Sequence, residues 1–391
     1  MDKIYFDHAA TTPVAPEVLQ EMRPFFDELY GNPSSIYSLA QDSARAVAEA
    51  REKVAGFIGA DSEREIIFTG GGTEADNLAL KGTVLALRDE GNHIITSAVE
   101  HHAVLHTCEF LEKHRGYDVT YLPVDEKGFV DPEDVRQAIR DDTILISIMM
   151  ANNEIGTIQP IAKIGQIARD NDILMHTDAV QAAGKIPVAV NKLNVDLLSL
   201  SAHKFYGPKG VGALYVRRGV KLVPQQSGGA QERKRRAGTE NVPAIVGMGK
   251  AVELAQNHLQ AGDIHQVVQL RDKIISGIEN TIDECRLNGP RGEKRLPGNV
   301  NFCFRYIEGE SILLNLDMLG IAASSGSACT SGSLDPSHVL LALGMPHEIA
   351  HGSLRVSLGI NNTEQEADYF LDKFPEIVQK LRDMSPLYEK K

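Results

Sequence analysis

Between residue 40 and about residue 220, short β-branched and apolar runs recur between longer amphipathic stretches. The runs are EIIFT at 65–69, HIITS at 93–97, VTYLPV at 119–124, TILISIM at 143–149, ILMHT at 173–177 and LLSLS at 197–201. Such runs read as strands, and the stretches between most of them carry helical spacing. Strands alternating with helices predict an α/β unit: a mostly parallel sheet covered on both faces, with its ligand site at the carboxyl ends of the strands. The loops after those strands are therefore where chemistry is expected.

Past residue 240 the texture changes. A long helical stretch from about 242 to 283 leads into strands NVNFCF at 299–304 and GSLRVSL at 352–358, with helical segments near 309–319 and 363–382. This predicts a second, smaller α+β domain, as a chain of 391 residues exceeds one ordinary core. The expected division is a large α/β domain over 15–260 and a small domain made of 1–14 and 261–391. No repeat of 20–50 residues and no low-complexity segment is visible, which excludes solenoids.

Composition narrows the class. With 42% hydrophobic and 24% charged residues the chain reads as soluble and globular, and no segment approaches a membrane span. The opening MDKIYFDHAATTP carries acids and a histidine instead of a basic start and an apolar stretch, so nothing directs export. Cys108, Cys285, Cys303 and Cys329 are widely spaced, which suggests neither a disulfide scaffold nor a zinc ribbon and fits a reducing cytoplasm. A net charge of -13 disfavours nucleic acid as a partner. His102, His106 and Cys108 lack the H-E-x-x-H pattern, so no metal is expected.

Three loops stand out. Directly after EIIF comes TGGGTEADNLALKG, where Gly70, Gly71 and Gly72 allow a tight turn, Thr73 can cap the following helix, and the free amides make an anion site. A plain capped turn is the alternative, because the spacing matches neither a nucleotide P-loop nor a dinucleotide fingerprint. In HTDAVQ, Asp178 ends a strand, where a carboxylate serves either as a ligand or as a helix cap. In SLSAHKFYGPKG, Lys204 follows another strand; a lysine at the crowded end of a sheet suits Schiff-base formation with a carbonyl cofactor. A phosphate site, an acid and a lysine after successive strands are what a pyridoxal phosphate enzyme needs.

At this point the chain resembles a known family. YFDHAATTP, GNPSS, GGGTEADN, VEHHAV, NNEIG, HTDAVQ, SAHKFYGPKG, RAGTEN, SSGSACTSGS and SLRVSLG together look like a cysteine desulfurase of the class I, iron-sulfur assembly group, within the class V aminotransferase type of fold-type I pyridoxal phosphate enzymes. The resemblance implies Lys204 as the Schiff-base lysine and Asp178 as the partner of the pyridinium nitrogen. It implies His101 stacked on the ring and shuttling protons, Gln181 on the ring hydroxyl, and Asn153 near ring and substrate. Thr73, Ser201 and His203 would hold the phosphate, with Thr239 reaching it from the other subunit of a homodimer. Arg355 would clamp the substrate carboxylate, for which a planar guanidinium is suited. Arg233, Lys234, Arg235 and Arg236 then read as an interface or site rim instead of a nucleic-acid patch. Two positions depart from the pattern: Tyr37 stands where many relatives have histidine, and a triple glycine precedes Thr73.

Cys329 sits among ten small residues in ASSGSACTSGS, a setting for a thiol that must be reached or must move. The resemblance makes it the nucleophile that takes sulfur from L-cysteine as a persulfide, leaves L-alanine, and passes the sulfur to an iron-sulfur scaffold or another acceptor protein. A class V aminotransferase or selenocysteine lyase would share the cofactor site without needing this thiol. A non-catalytic sulfur carrier would use Cys329 alone, leaving Lys204, Asp178 and the glycine loop without purpose. Among the other cysteines, Cys303 reads as a core position between Phe302 and Phe304, Cys108 as part of an apolar helix pattern, and Cys285 as lying near a helix end.

Overall fold

The apolar runs become strands in the computed structural model, which describes residues 3–325 and 336–388. In chain order the strands are β1 (Ile4–Tyr5), β2 (Ile66–Thr69), β3 (His93–Ser97), β4 (Asp118–Leu122), β5 (Thr143–Ser147), β6 (Leu174–Asp178), β7 (Leu197–Ser201), β8 (Gly212–Val216), β9 (Cys285–Leu287), β10 (Asn299–Phe304), β11 (Ile321–Ala322) and β12 (Ser353–Ser357). Seven of them form one sheet in the order β2-β8-β7-β6-β5-β3-β4. Every pairing in it is parallel except those of β8, which runs antiparallel to both β2 and β7. Strands β2, β3, β5, β7 and β8 are buried along their whole length, as a sheet covered on both faces requires, whereas edge strand β4 is exposed at Asp118 and half-buried over most of the rest. The β-branched runs do not include β8, whose GALYV begins with two small residues of low strand preference.

The stretch expected to be helical from 242 to 283 is two helices, Val242–Ala261 and Asp263–Thr281, parted at Gly262. Gly262 has φ 82°, the left-handed conformation that ends a helix at low cost when no Cβ is present. The break separates two apolar cores. One gathers Val47, Val54, Ile146, Met175, Leu200 and Val252 around the large sheet. The other gathers Phe6, Ile274, Phe302, Phe304, Phe370 and Phe374 around β10, which pairs antiparallel with β9 and β12. Cys285 opens β9 just past the end of the Asp263–Thr281 helix, as expected near a helix end; Cys303 is buried in β10 and Cys108 in the His102–Arg115 helix.

The N-terminal segment joins the two cores. Phe6 packs in the second one, and β1 pairs in parallel with β11. A few residues later the Thr12 amide donates to His203 O at 2.9 Å, and the Tyr206 amide donates to Thr12 Oγ1 at 2.7 Å, both beyond the end of β7.

Candidate active site

Because β2, β3, β5, β6 and β7 run the same way, the segments that follow them meet at one edge of the sheet. Gly72 shows how closely they meet. A Cβ placed there would lie 2.8 Å from Val180 Cγ2 and 3.5 Å from Ser201 Cβ, so the glycine loop after β2 rests against the segments after β6 and β7. The helix Gly72–Ala86 begins behind Gly71 with no side-chain cap. This corrects the expectation that Thr73 caps it: Thr73 is already the second helical residue, and its side chain is exposed. The start of this helix therefore offers uncapped amides suited to an anion. Glu74 in its first turn accepts the Gly70 amide at 2.7 Å and pairs with Arg236 at 2.8 Å, which ties the basic run to this loop. The chain bends sharply at the start of that run, with Glu232 before it and Arg233 and Lys234 within it all at positive φ, and Glu232 is anchored by a buried pair with Arg51 at 2.6 Å.

Lys204 sits in the turn Ala202–Lys204 directly after β7. Its Nζ donates to Ala9 O and Ala10 O, each at 2.7 Å, so the N-terminal segment fixes where the amine stands. Asp178, the last residue of neighbouring β6, is 6% exposed and accepts the Val180 amide at 2.8 Å. Burial raises its pKa to about 6 even though Lys204 pulls it down. Beneath it lies a polar layer: His176 bonds Ser147 at 2.8 Å and Ser199 at 3.0 Å, and stands 3.6 Å from Asp76. Burial, then the Asp178 charge, pushes the Asp76 carboxyl well up, while burial drives His176 down to about 3. The two neighbouring carboxyls oppose each other's ionisation.

His101 precedes the His102–Arg115 helix, and its Nδ1 accepts the Ala103 amide at 3.1 Å. Burial first, then the Lys204 charge, lowers its pKa to about 4, so the ring is neutral with its proton on Nε2. Gln181 donates from Nε2 to Ala9 O at 2.8 Å, next to the Lys204 contact. Ser201 closes β7, and His203 bonds Thr11 Oγ1 through Nδ1 at 3.1 Å, with burial lowering its pKa to about 4. Arg355, at the centre of β12, is buried; it donates to Asn153 O at 3.2 Å and to Asp7 Oδ1 at 2.9 Å, and its Nε has no hydrogen-bond partner among the described residues. Lys204, Asp178, His101, Gln181, Ser201, His203, Asn153 and Arg355 are thereby brought to one edge. Thr239 is exposed and lines an open depression of about 580 Å³ with Ser227, Gly228 and Gln231.

Cys329 lies outside the described residues. The chain on either side is tied to the site: Ser324 exchanges backbone bonds with Arg355 at 3.1 and 2.7 Å, Ser337 bonds Glu154, and His338 Nε2 bonds Glu100 O at 2.9 Å. His338 also packs on His102, which packs on His106, with ring centroids 4.7 and 4.8 Å apart. Among the described residues no group of three or more histidine, cysteine and acidic side chains is placed to hold a metal ion.

Sequence reading assigned nothing to Asp7, Ala9, Ala10, Thr11 or Lys185, yet all five touch site residues. Two observations match the site to pyridoxal phosphate. Asp178 is a buried acid raised by desolvation, the condition that a pyridinium partner relieves, and the uncapped helix start faces Ser201 as a phosphate seat would.

The model of the class-V aminotransferase family matches residues 4–370. A protein of Methanosarcina thermophila named "Cysteine desulfurase IscS" is 60% identical over 387 residues, covering 99% of this chain and 95% of that one. Among solved structures, a "NifS-like protein" superposes with a TM-score of 0.90 at 42% identity, covering 97% of this chain and 100% of the other. A structure titled "SspA in complex with cysteine" gives a TM-score of 0.80 at 40% identity, covering 92% and 100%.

Proposed function

We propose a division of labour among the site residues of this chain, which belongs to the class-V aminotransferase family and is a pyridoxal-phosphate-dependent cysteine desulfurase. The observation that carries the assignment is the Lys204 amine at the end of β7 beside the buried Asp178 at the end of β6. When bound, pyridoxal phosphate supplies an electron sink for the bonds around the substrate Cα.

Lys204 would hold the cofactor covalently through Nζ, and its amine would take the proton from the substrate Cα. Ala9 O and Ala10 O hold its Nζ at the required place. Asp178 would keep the proton on the ring nitrogen. The uncapped amides at Gly72 and Thr73, with Ser201 and His203, seat the phosphate. His101, neutral and oriented by the Ala103 amide, would stack on the ring and carry protons through Nε2. Arg355 holds the L-cysteine carboxylate beside Asn153.

Cys329 then attacks the substrate sulfur as a thiolate. An S–S bond forms, the substrate C–S bond breaks, and its electron pair returns to the carbon skeleton, which is protonated and leaves as L-alanine. Cys329 keeps the sulfur as a persulfide and delivers it to an acceptor protein for iron-sulfur assembly or thiolation. The anchoring of Ser324 and Ser337 beside Arg355 and Glu154 supports this, because it starts and ends the Cys329 segment at the site.

We further take the chain to be a cytoplasmic homodimer in which Thr239 reaches the phosphate seat of the other copy. Thr239 is exposed, and so are the apolar side chains of Phe26, Tyr30 and Ile36, which a second copy would cover. The domain boundaries are assigned at 14/15 and 260/261, supported by the break at Gly262 between helices that serve different cores.

The test is to supply L-cysteine and measure L-alanine together with a mass gain of one sulfur on the peptide carrying Cys329. Cys329→Ser should abolish both while the cofactor's visible band persists. Alanine formation at the parent rate in that variant would overturn the assignment.

A further inference from the structure

Lys185 has no part in the roles assigned above, yet it stands behind one of them. The chain after β6 winds tightly, with the Ala182 and Ala183 amides both donating to Ala179 O and the Lys185 and Ile186 amides both donating to Ala182 O. This winding puts residues 181 and 185 on one side, and Lys185 Nζ donates to Gln181 Oε1 at 2.8 Å. Gln181 in turn donates from Nε2 to Ala9 O at 2.8 Å, the carbonyl that also receives Lys204 Nζ at 2.7 Å. Two lysines are thus joined through one amide and one carbonyl.

The chemistry of these groups fixes their orientation. An ammonium only donates, so the end of Gln181 that faces Lys185 has to be the oxygen, and the N–H end has to face the Lys204 side. With a neutral, apolar residue at 185 the amide would lose that instruction. Lys185 is also a cation without a carboxylate: among the described residues no acid lies within 4.0 Å of it. The charged and titratable groups acting on it or on which it acts are Lys204, Arg355, His8 and His203, and all of them are basic. Burial first, then the Lys204 and Arg355 charges, hold its amine down to about 7. A half-buried amine with basic neighbours and one amide acceptor is suited to an anionic oxygen on the ligand side.

We propose that Lys185 is a positioning residue for the cofactor: it holds Gln181 with its N–H toward the ring-hydroxyl oxygen and, as an ammonium that an anionic oxygen keeps protonated, places a positive charge behind that oxygen. The proposal rests on the reading of Gln181 as the ring-hydroxyl partner. Its consequence has a sign. A nearby cation favours the cofactor form that has lost a proton, so removing the cation raises the pH at which the visible band titrates. A unit charge one amide away, at the effective dielectric of a protein interior, shifts such a midpoint by about one pH unit.

The experiment uses purified holoenzymes of the parent, Lys185→Met, Lys185→Arg and Gln181→Ala, with the visible band titrated and pyridoxal phosphate affinity measured on reconstitution of the stripped proteins. Lys185→Met should raise the midpoint by about one unit and weaken pyridoxal phosphate binding about tenfold, while Lys185→Arg keeps the parent midpoint. In the Gln181→Ala background, Lys185→Met should cost less affinity than it does alone, as coupled residues require. An unchanged midpoint in folded Lys185→Met, or fully additive losses, would overturn the proposal. If Lys185→Met does not fold, Lys185→Gln carries the same comparison. A parent protein lacking any visible band after reconstitution would instead overturn the cofactor assignment to Lys204 and Asp178, so the two failures are distinct.

Discussion

Arg355 offers the sharpest test of substrate recognition. Its guanidinium is 3% exposed, with one nitrogen on Asn153 O at 3.2 Å, one on Asp7 Oδ1 at 2.9 Å, and Nε buried without a partner among the described residues. A buried cation with an unused donor costs free energy unless a ligand completes it, and a substrate carboxylate does so with charge-assisted bonds. Truncating one member of such a pair costs about 2–5 kcal/mol. Taking about 3 kcal/mol, and about 1.4 kcal/mol for each factor of ten, Arg355→Ala should lose about 10²-fold in kcat/KM for L-cysteine. The assay compares L-cysteine with cysteamine, which lacks the carboxylate. The parent should prefer L-cysteine by about 10²-fold or more, and in the variant the preference should collapse to within about tenfold. Arg355→Ala also leaves Asp7 without its partner, so Asp7→Asn serves as a control; it keeps the guanidinium and should keep most of the preference. Full preference for L-cysteine in a folded Arg355→Ala protein would refute the clamp.

Two further outcomes follow from the same geometry. Gly72→Ala would put a Cβ 2.8 Å from Val180 Cγ2 and displace the phosphate seat, so pyridoxal phosphate affinity should fall at least about tenfold with little change in the far-ultraviolet circular dichroism; an unchanged affinity would contradict the seat. Burial raises the Glu100 carboxyl from 4.5 to about 8, so the folded protein binds a proton there that the unfolded chain has released. The contribution of this group to stability therefore falls as pH rises from about 4.5 to about 8, by at most about 1.4 kcal/mol per unit, and is flat above. Glu100→Gln should remove that slope, so thermal midpoints of variant and parent should diverge in the variant's favour between pH 6 and 8; parallel curves would contradict it.

Much of the site is legible in the sequence for a physical reason. Lys204 and Asp178 are chemistry-bearing side chains directly after apolar runs, and the parallel direction of β6 and β7 alone brings their ends together. Other features leave no such mark. Lys204 is held by carbonyls 194 and 195 residues away, and a backbone carbonyl has no residue signature. Lys185 reads as an ordinary turn lysine until its bond to Gln181 is seen. The cap expected at Thr73 fails because glycine at 71 and 72 lets the helix start two residues early, where a threonine pattern gives no signal. The break at Gly262 is hidden for the opposite reason: the apolar spacing continues through it, and only the positive φ shows that the two helices serve different cores.

The N-terminal FDHAATT segment links the parts that sequence reading keeps separate. Asp7 holds Arg355 of the second core, Ala9 and Ala10 hold Lys204 at the large sheet, Ala9 receives Gln181, and Thr11 and Thr12 hold the turn at His203. Six consecutive residues thus set the distance between Arg355 and Lys204, the groups proposed to grip the substrate carboxylate and to work at its Cα. Those two substrate atoms are one bond apart, so the clamp and the amine have to be registered more finely than two separately packed cores would enforce. A short strap bonded to both supplies that registration through its backbone, which is why its small residues matter by position more than by side chain.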